Sequence, residues 1–600
     1  MTPDWSSLTA RAGFRPSLIT LAQRLAGLYP PVDPAIVLAT ASVLRCLELG
    51  SICFDPADPA SLGLPADATD VIWPKPRRWY DALAASPMVF SAGVRTNQAL
   101  VLDDGRLYLT RHWLEQAAVA DRLVGLAGPT TIRPATIGPV TMGPVTMGPV
   151  TMGPATTHPA APAWTGSDLD LDPDQAGAVR LAAAQRCCCV VGGPGTGKTR
   201  TVAAILADLA GRGVRRVALT APTGRAAANL EQAVSQALPG GNQLSLTSGT
   251  LHRLLGAKPW GDVDHDADQP LVADVIVVDE ASMVPLHLMR QLLDAVAPTS
   301  RLILVGDPNQ LPSVEAGTVL ADIVAADGVV PVATLTVDHR FGQTTALARV
   351  AQLIRQLPDQ AVDAAAVDAI LDCLGSDPDH IDWIKQDVTA RDFRPDDLEG
   401  LRQMVVDQGL GLIDAAAVGD GAGALAWLER HRLLVAHRQG PAGVERWTGL
   451  AEAWIDRARP GAMAGLWPVG RPLLVTRNDS LLEVVNGDAG VIVAQEGQAR
   501  LALRHGQDLR YVPPDLVDTS PLYASTIHKA QGGQYDAVCV IVPPPDAAIL
   551  SRQLFYTAVT RTRRHLRVIG GPQAVRQALM TSVTRASGLT PALRRRAAQA

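Results

Sequence analysis

The stretch GGPGTGKT, Gly192 to Thr199, fits the pattern G-x-x-x-x-G-K-[ST]. Gly192, Gly193, Gly195 and Gly197, with Pro194 and Thr196 between them, allow backbone N–H groups to approach phosphate oxygens with no Cβ in the way. Lys198 is placed to reach the outer phosphates, and the Thr199 hydroxyl to hold Mg²⁺. The chemistry asked for is that of a nucleoside triphosphate, ATP in the first instance. VIVVDEAS ends an aliphatic run on Asp279 and Glu280. An acidic pair there would support Mg²⁺ through Asp279 and polarise an attacking water through Glu280. LILVGDPNQLPSVEAG repeats the design and delivers Gly306, Asp307 and Gln310. An uncharged donor and acceptor such as Gln310 can sense whether phosphate or water lies beside it.

These side chains need a scaffold that brings them to one edge. Cys187 to Val191 reads as a buried strand before the glycine loop. Val202, Ile205, Leu206 and Leu209 fall at helical spacing after it, and Gly211 and Gly213 stop that helix. A strand, a glycine loop and a helix in that order make a phosphate cradle whose helix directs its positive end at the anion. Further candidate strands are 215–221, 274–279 and 301–305, then 431–437, 537–543 and 565–570. Near-continuous aliphatic strands between helices mean parallel sheets covered on both faces, here in two groups and hence two α/β lobes. Within the second, 472–516 reads as a small, turn-rich, all-β insertion of barrel-like character.

Residues 1–127 mix helical patterns at Ala35 to Leu49 and Arg111 to Leu126 with a hairpin at Ala99 to Leu109, and carry no catalytic constellation. They read as a docking domain. Residues 128–165 repeat TIGPV, TMGPV, TMGPV and TMGPA and then become Thr/Ala/Pro-rich. Prolines that cannot donate to a ladder and glycines that are costly to order make this an extended linker. The first motor lobe is then expected over 166–350 and the second over 351–600.

Composition narrows the class. None of the seven cysteines forms a C-x-x-C pair or lies at ligand spacing from a histidine, so no disulfide framework and no metal–sulfur cluster is indicated. The start of the chain has no signal-peptide core, and no apolar run is long enough to span a bilayer. A cytoplasmic protein with no membrane partner is the expectation. A net charge of −6 argues against a static nucleic-acid coat but not against one local groove that grips and releases a strand.

In their order the motifs resemble those of superfamily 1 helicases. Gln175 in LDPDQAGAV resembles the adenine-reading glutamine. GGPGTGKT and VDEAS resemble the Walker A and B motifs. VGDPNQLPSVEAG resembles the motif that couples hydrolysis to movement. Arg340 in LTVDHRF and Arg561 in LFYTAVTRTRRHL resemble the two arginines that reach the γ-phosphate, Arg561 as arginine finger. LTAPTGRAAANL, TLHRLLG and YASTIHKAQGGQYD resemble strand-gripping motifs, which makes Thr223, Arg225, Asn229, His252, Thr526, His528 and Lys529 the candidate DNA contacts. TLHRLLG, VNGDAGVI, STIHKAQGGQYD and RASGL look like the RecD branch, and the N-terminal segment is similar to the RecD N-terminal domain. Where many relatives have glutamate in the second-lobe motif, this chain has Gln534, which keeps an acceptor and loses a charge. The resemblance implies two RecA-like motor lobes, a mainly helical N-terminal domain and an SH3-like β insertion. It also implies 5′→3′ movement on single-stranded and duplex-end DNA, and RecB-like and RecC-like subunits completing a heterotrimeric exonuclease V. The residues leave open a stand-alone RecD-like helicase. A non-motor ATP-dependent switch fits less well with arginines drawn from two lobes.

Overall fold

The computed structural model describes residues 5–10, 13–63, 73–91, 98–127, 170–238, 244–258, 261–339, 345–479, 481–506, 508–583 and 585–600. The repeat tract at 128–165 and Arg340 lie outside them.

The N-terminal body is mainly helical, with Pro16–Gly27, Pro34–Glu48 and Pro76–Ala85 beside a three-stranded sheet. Its strands are β1 (Val89–Ser91), β2 (Leu100–Asp103) and β3 (Arg106–Leu109), in the order β1-β2-β3. The expected hairpin is the antiparallel β2–β3 pair, closed at Asp104 and Gly105. The helix Thr110–Leu126 follows and buries Val119, Ala120 and Leu123 in the same core as Met289 and Leu292 of Leu286–Ala295. The body is thereby seated on one face of the first lobe.

That lobe is a six-stranded parallel sheet. Its strands are β4 (Cys187–Gly192), β5 (Arg216–Ala221), β6 (Ser245–Thr250), β7 (Val275–Val278), β8 (Arg301–Gly306) and β9 (Val332–Leu335). Their order is β6-β5-β7-β8-β4-β9. Strand alternation sends Cys187, Cys189 and Val191 into the core shared with Leu286–Ala295, and Cys188 and Val190 into the core under Lys198–Gly211. The three thiols are packing groups, and burial raises the pKa of each.

The second lobe has β10 (Ile381–Ile384), β11 (His431–Val435), an antiparallel group, then β17 (Ala524–Thr526), β18 (Tyr535–Ile541) and β19 (Thr562–Ile569). The parallel order is β10-β19-β18-β11-β17, with apolar cores on both faces. The antiparallel group contains β12 (Pro472–Val475), β13 (Ala489–Gln495), β14 (Gln498–His505), β15 (Asp508–Val512) and β16 (Thr519–Pro521). It is the expected all-β insertion, but its order β15-β14-β13-β12-β16 leaves β15 and β16 as edges. Among the described residues it is an open five-stranded sheet, and no pairing of β15 with β16 closes it into an SH3-like barrel.

The end of the chain departs from the second lobe. Leu589 and Leu593 are buried in the core that holds Ile52, Tyr108 and Leu123 of the N-terminal body and Leu320 and Ile323 of the first lobe. Residues 585–600 therefore run back across the molecule and pack on its other half.

Candidate active site

Three strand ends of the first lobe and their following turns build one side of the site. β4 delivers the glycine loop, in which Gly195 (φ +88°) and Gly197 (φ +75°) adopt backbone conformations that side chains with a Cβ rarely take. Lys198 and Thr199 open the helix Lys198–Gly211 immediately after it. Lys198 Nζ donates to Gly192 O at 2.8 Å and Gly193 O at 3.0 Å. β7 delivers Asp279 and Glu280, and Glu280 is held at φ +50°, a strained setting for a side chain that must aim at a site. β8 delivers Asp307, whose Oδ2 accepts from Gln310 Nε2 at 3.3 Å.

The second lobe closes the site. Arg561 is buried, and its Nη2 donates to Gln310 Oε1 at 2.8 Å. Its Nη1 and Nε are held by Gly533 O and Thr557 O at 3.3 and 3.2 Å. Tyr556 donates to Asp307 Oδ2 at 2.9 Å. Between the lobes lies a cleft of about 630 Å³ lined by Lys198, Thr199, Asp279, Glu280, Gln310 and Arg561. Residues from chain positions 194 to 563 thus face one space.

The electrostatics suit a polyanion. Burial lowers the pKa of Lys198, while Asp307, Glu280 and Asp279 oppose that shift. Burial raises that of Asp279, Glu280 adds to the rise, and Lys198 works against it. Among the described residues no group of three or more His, Cys, Asp or Glu could enclose a metal. The Thr199 hydroxyl and the Asp279 carboxylate fit Mg²⁺, which commonly takes one or two protein ligands and completes its shell with substrate phosphates and water.

Three sequence expectations change in detail. Gln175 is fully buried beneath the glycine loop. Its Nε2 donates to Thr196 O at 3.3 Å, and its Oε1 accepts from Asp172 N in a capping box. Both ends of the amide are engaged, so in this arrangement it braces the loop and does not present itself to a base. Arg225 and Asn229, expected on the DNA path, line the nucleotide cleft because their helix starts at the same sheet edge. Arg225 Nη1 donates to Tyr535 Oη at 3.2 Å, and Asn229 Nδ2 donates to Gly532 O at 3.2 Å, so both bridge the lobes. Thr223 caps the same helix by accepting from Ala226 N. His252, Thr526, His528 and Lys529 lie outside the cleft lining; His252 and Lys529 are exposed, and Thr526 Oγ1 accepts from Lys529 N. Arg340 falls outside the described residues, but its neighbour His339 lines the cleft and donates its N–H to Gly195 O at 2.9 Å.

Other contributors escaped the sequence reading. Tyr556 and Thr557 sit in the last turn of the helix Arg552–Val559, and Arg561 follows in the turn just beyond its C-cap Thr560, close enough in sequence to have drawn attention to them. Arg355, from Ala346–Gln356, has no comparable signal; a Cβ on Gly193 would stand 2.7 Å from its Nη1. Arg504 and Arg563 also line the cleft, as does Gln534, the residue standing where many relatives have glutamate.

Two parallel-sheet lobes closing over a P-loop, with an arginine delivered by the second lobe of the same chain, define a two-lobed P-loop ATPase of the helicase type. Family models match in three places: an AAA domain over 175–316, a UvrD-like helicase C-terminal domain over 521–569, and the N-terminal domain of RecBCD enzyme subunit RecD over 10–108. The chain is 39% identical over 597 residues to RecBCD enzyme subunit RecD of Mycolicibacterium smegmatis, covering 96% of this chain and 97% of that one. It is 31% identical over 396 residues to the ATP-dependent RecD2 DNA helicase of Deinococcus radiodurans, 66% of this chain and 48% of that one. A Bacteroides Pif1 helicase solved with ADP-AlF3 and single-stranded DNA superposes with a TM-score of 0.40 at 16% identity, over 68% of this chain and 94% of that one. The chain belongs to the family of RecBCD enzyme subunit RecD.

Proposed function

We propose that the chain is an ATP-dependent 5′→3′ single-stranded DNA translocase and helicase. It works as the RecD subunit of a RecBCD helicase–nuclease, in DNA end processing and double-strand break repair by homologous recombination. The observation that carries the motor is the buried Arg561–Gln310 contact, in which the second lobe reaches the phosphate-sensing residue of the first.

The chain's own residues account for hydrolysis. Lys198 exchanges its contacts with Gly192 O and Gly193 O for phosphate oxygens, and the loop amides orient the chain of phosphates. Glu280 aligns the attacking water and accepts its proton. Arg561 stabilises the charge that spreads over the transferred phosphoryl group, the role the resemblance also gives Arg340. Mg²⁺, when held by Thr199 and Asp279, would neutralise phosphate charge. Because Arg561 and Lys198 come from different lobes, binding draws the cleft shut and product release frees it. A strand held by His252 on one lobe and by Thr526, His528 and Lys529 on the other would be advanced by that cycle. Modest contacts of this kind suit a strand that must slide.

RecB-like and RecC-like subunits are the proposed partners, with the N-terminal body as the docking element and the nuclease carried by a partner. Lys198→Ala should abolish DNA-stimulated ATP hydrolysis and strand displacement on a 5′-tailed duplex while the thermal transition is preserved. Unwinding at the wild-type rate by that variant would refute the site. Co-purification with two larger subunits separates the RecBCD reading from a stand-alone helicase.

A further inference from the structure

The motif RASGL, Arg585 to Leu589, takes no part in the phosphate chemistry, yet it is built into the loop that carries Gln310. That loop, 307–317, is held at both ends. At the near end the second lobe takes both backbone groups of Leu311: its N–H donates to Thr557 Oγ1 at 2.9 Å, and its carbonyl accepts from Gln531 Nε2 at 3.1 Å. At the far end Arg585 Nη1 donates to Glu315 O at 3.1 Å and Gly317 O at 3.3 Å. Ser313 Oγ donates to the same two carbonyls at 2.7 and 3.3 Å, and Gly317 N donates to Gly50 O at 2.9 Å. Gly317 (φ +110°) and Gly50 (φ +82°) both need left-handed backbone, and a Cβ on Gly50 would collide with the Arg585 guanidinium.

The two anchors belong to different bodies. The near end travels with the second lobe. The far end is fixed to the first lobe and the N-terminal body, because the segment carrying Arg585 is fixed there. Ile52 N donates to Ala586 O at 2.9 Å, Gly588 N donates to Gln116 Oε1 at 3.1 Å, and Leu589 and Leu593 are buried. Burial brings the Arg585 guanidinium down to about 10, and its buried Nε has no hydrogen-bond partner among the described residues. A buried guanidinium whose charge is met by the main-chain oxygens of Glu315 and Gly317 is a costly anchor compared with an apolar one. What it supplies is position: one nitrogen fixes two carbonyls of the loop.

The far end also lies among the strand-facing groups of both lobes. Glu315 pairs with His287 at 3.2 Å and is within electrostatic reach of His252. Burial holds His528 below the usual imidazole value, and the charge of Arg585 adds to that.

We propose that Arg585 is a positioning residue for ATP hydrolysis: by holding Glu315 and Gly317 it fixes the end of the loop against which Gln310 registers cleft closure, and so joins the nucleotide to the strand-facing histidines. This rests on the ATPase reading above.

The test uses steady-state ATPase of the full chain with and without single-stranded DNA, comparing wild type, Lys198→Ala, Arg585→Ala, Arg585→Lys and Leu593→Ala. Arg585→Ala should leave KM for ATP and the cooperativity of thermal unfolding unchanged and lower the DNA stimulation of kcat about tenfold, the usual scale of coupling between sites. Arg585→Lys, which keeps the charge but meets fewer carbonyls, should fall between and remains informative if the alanine variant does not fold. Unchanged stimulation in both Arg585 variants overturns the proposal. So does a loss of stimulation matched by Leu593→Ala, since that would reduce Arg585 to a packing role. A wild type without ATPase, or an active Lys198→Ala, would instead defeat the nucleotide site.

Discussion

The two halves of this molecule meet at two junctions of opposite character. At the nucleotide cleft they touch through polar groups: Arg561 with Gln310, Tyr556 with Asp307, Arg225 with Tyr535, Asn229 with Gly532. At the return of the C-terminal segment the contact is built on Leu589 and Leu593, sealed in a continuous apolar core. Hydrogen bonds exchange readily with water and ligand, so their net contribution is small, about 0.5–1.5 kcal/mol each. Buried leucines lose their whole benefit when separated. In the proposed cycle the first junction opens at every turnover and the second stays shut.

That contrast can be broken by substitution. The largest effect falls at the cleft: Arg561→Ala should lower kcat for ATP about 10³-fold or more, with the denaturation midpoint nearly unchanged, as read by parallel ATPase and urea titrations. Leu593→Ala should do the reverse, costing about 2–5 kcal/mol of stability in urea denaturation while its folded fraction hydrolyses ATP normally. If Leu593→Ala proves silent in stability, the return segment is not a fixed junction.

A smaller effect concerns Asp322, which sits under that segment and accepts from Ser587 Oγ at 2.8 Å and from Thr318 and Thr590. Burial raises its pKa to about 6, against the opposing pull of those hydroxyls. A carboxyl whose folded pKa lies above its unfolded value binds more protons when folded, so its contribution to stability falls as pH rises from about 4 to about 6. Asp322→Asn should flatten that decline in urea melts taken across the window. Identical pH slopes in the two proteins would remove Asp322 from the account. The smallest effect is expected from shortening the 128–165 repeat by two TMGPV units: DNA-stimulated ATPase should stay within about twofold if the tract is the spacer that its Pro/Gly composition implies.

What the sequence revealed follows the same division. The candidate catalytic side chains of the first lobe sit in contiguous motifs at the ends of central strands, and those strands are continuous aliphatic runs because both faces are covered. Cys187–Gly192, Val275–Val278 and Arg301–Gly306 were legible for that reason. The strands that went unread in the two parallel sheets, Ser245–Thr250, Val332–Leu335, Ile381–Ile384 and Ala524–Thr526, are the four sheet edges. Edge strands pair on one side only and are short or partly exposed, so Ser245 to Thr250 can be built from Ser, Leu, Thr and Gly without any aliphatic run. Arg225 and Asn229 were placed on the strand path because their motif is shared, whereas their direction depends on the tilt of a helix against a lobe that lies some 300 residues further along. The homing of Leu589 and Leu593 to the N-terminal body was invisible for the same reason: an apolar helix face does not state which core it fills.

All seven cysteines are buried, three of them in the strand directly beneath the phosphate loop. Thiolate formation is suppressed in such surroundings, so thiol-directed reagents should pass over the native chain. A cysteine placed on the rim of each lobe would then be the fast-reacting thiol of its half, and a dye pair attached there would report the opening and shutting of the engine in single molecules, without first stripping the protein of its natural sulfhydryls.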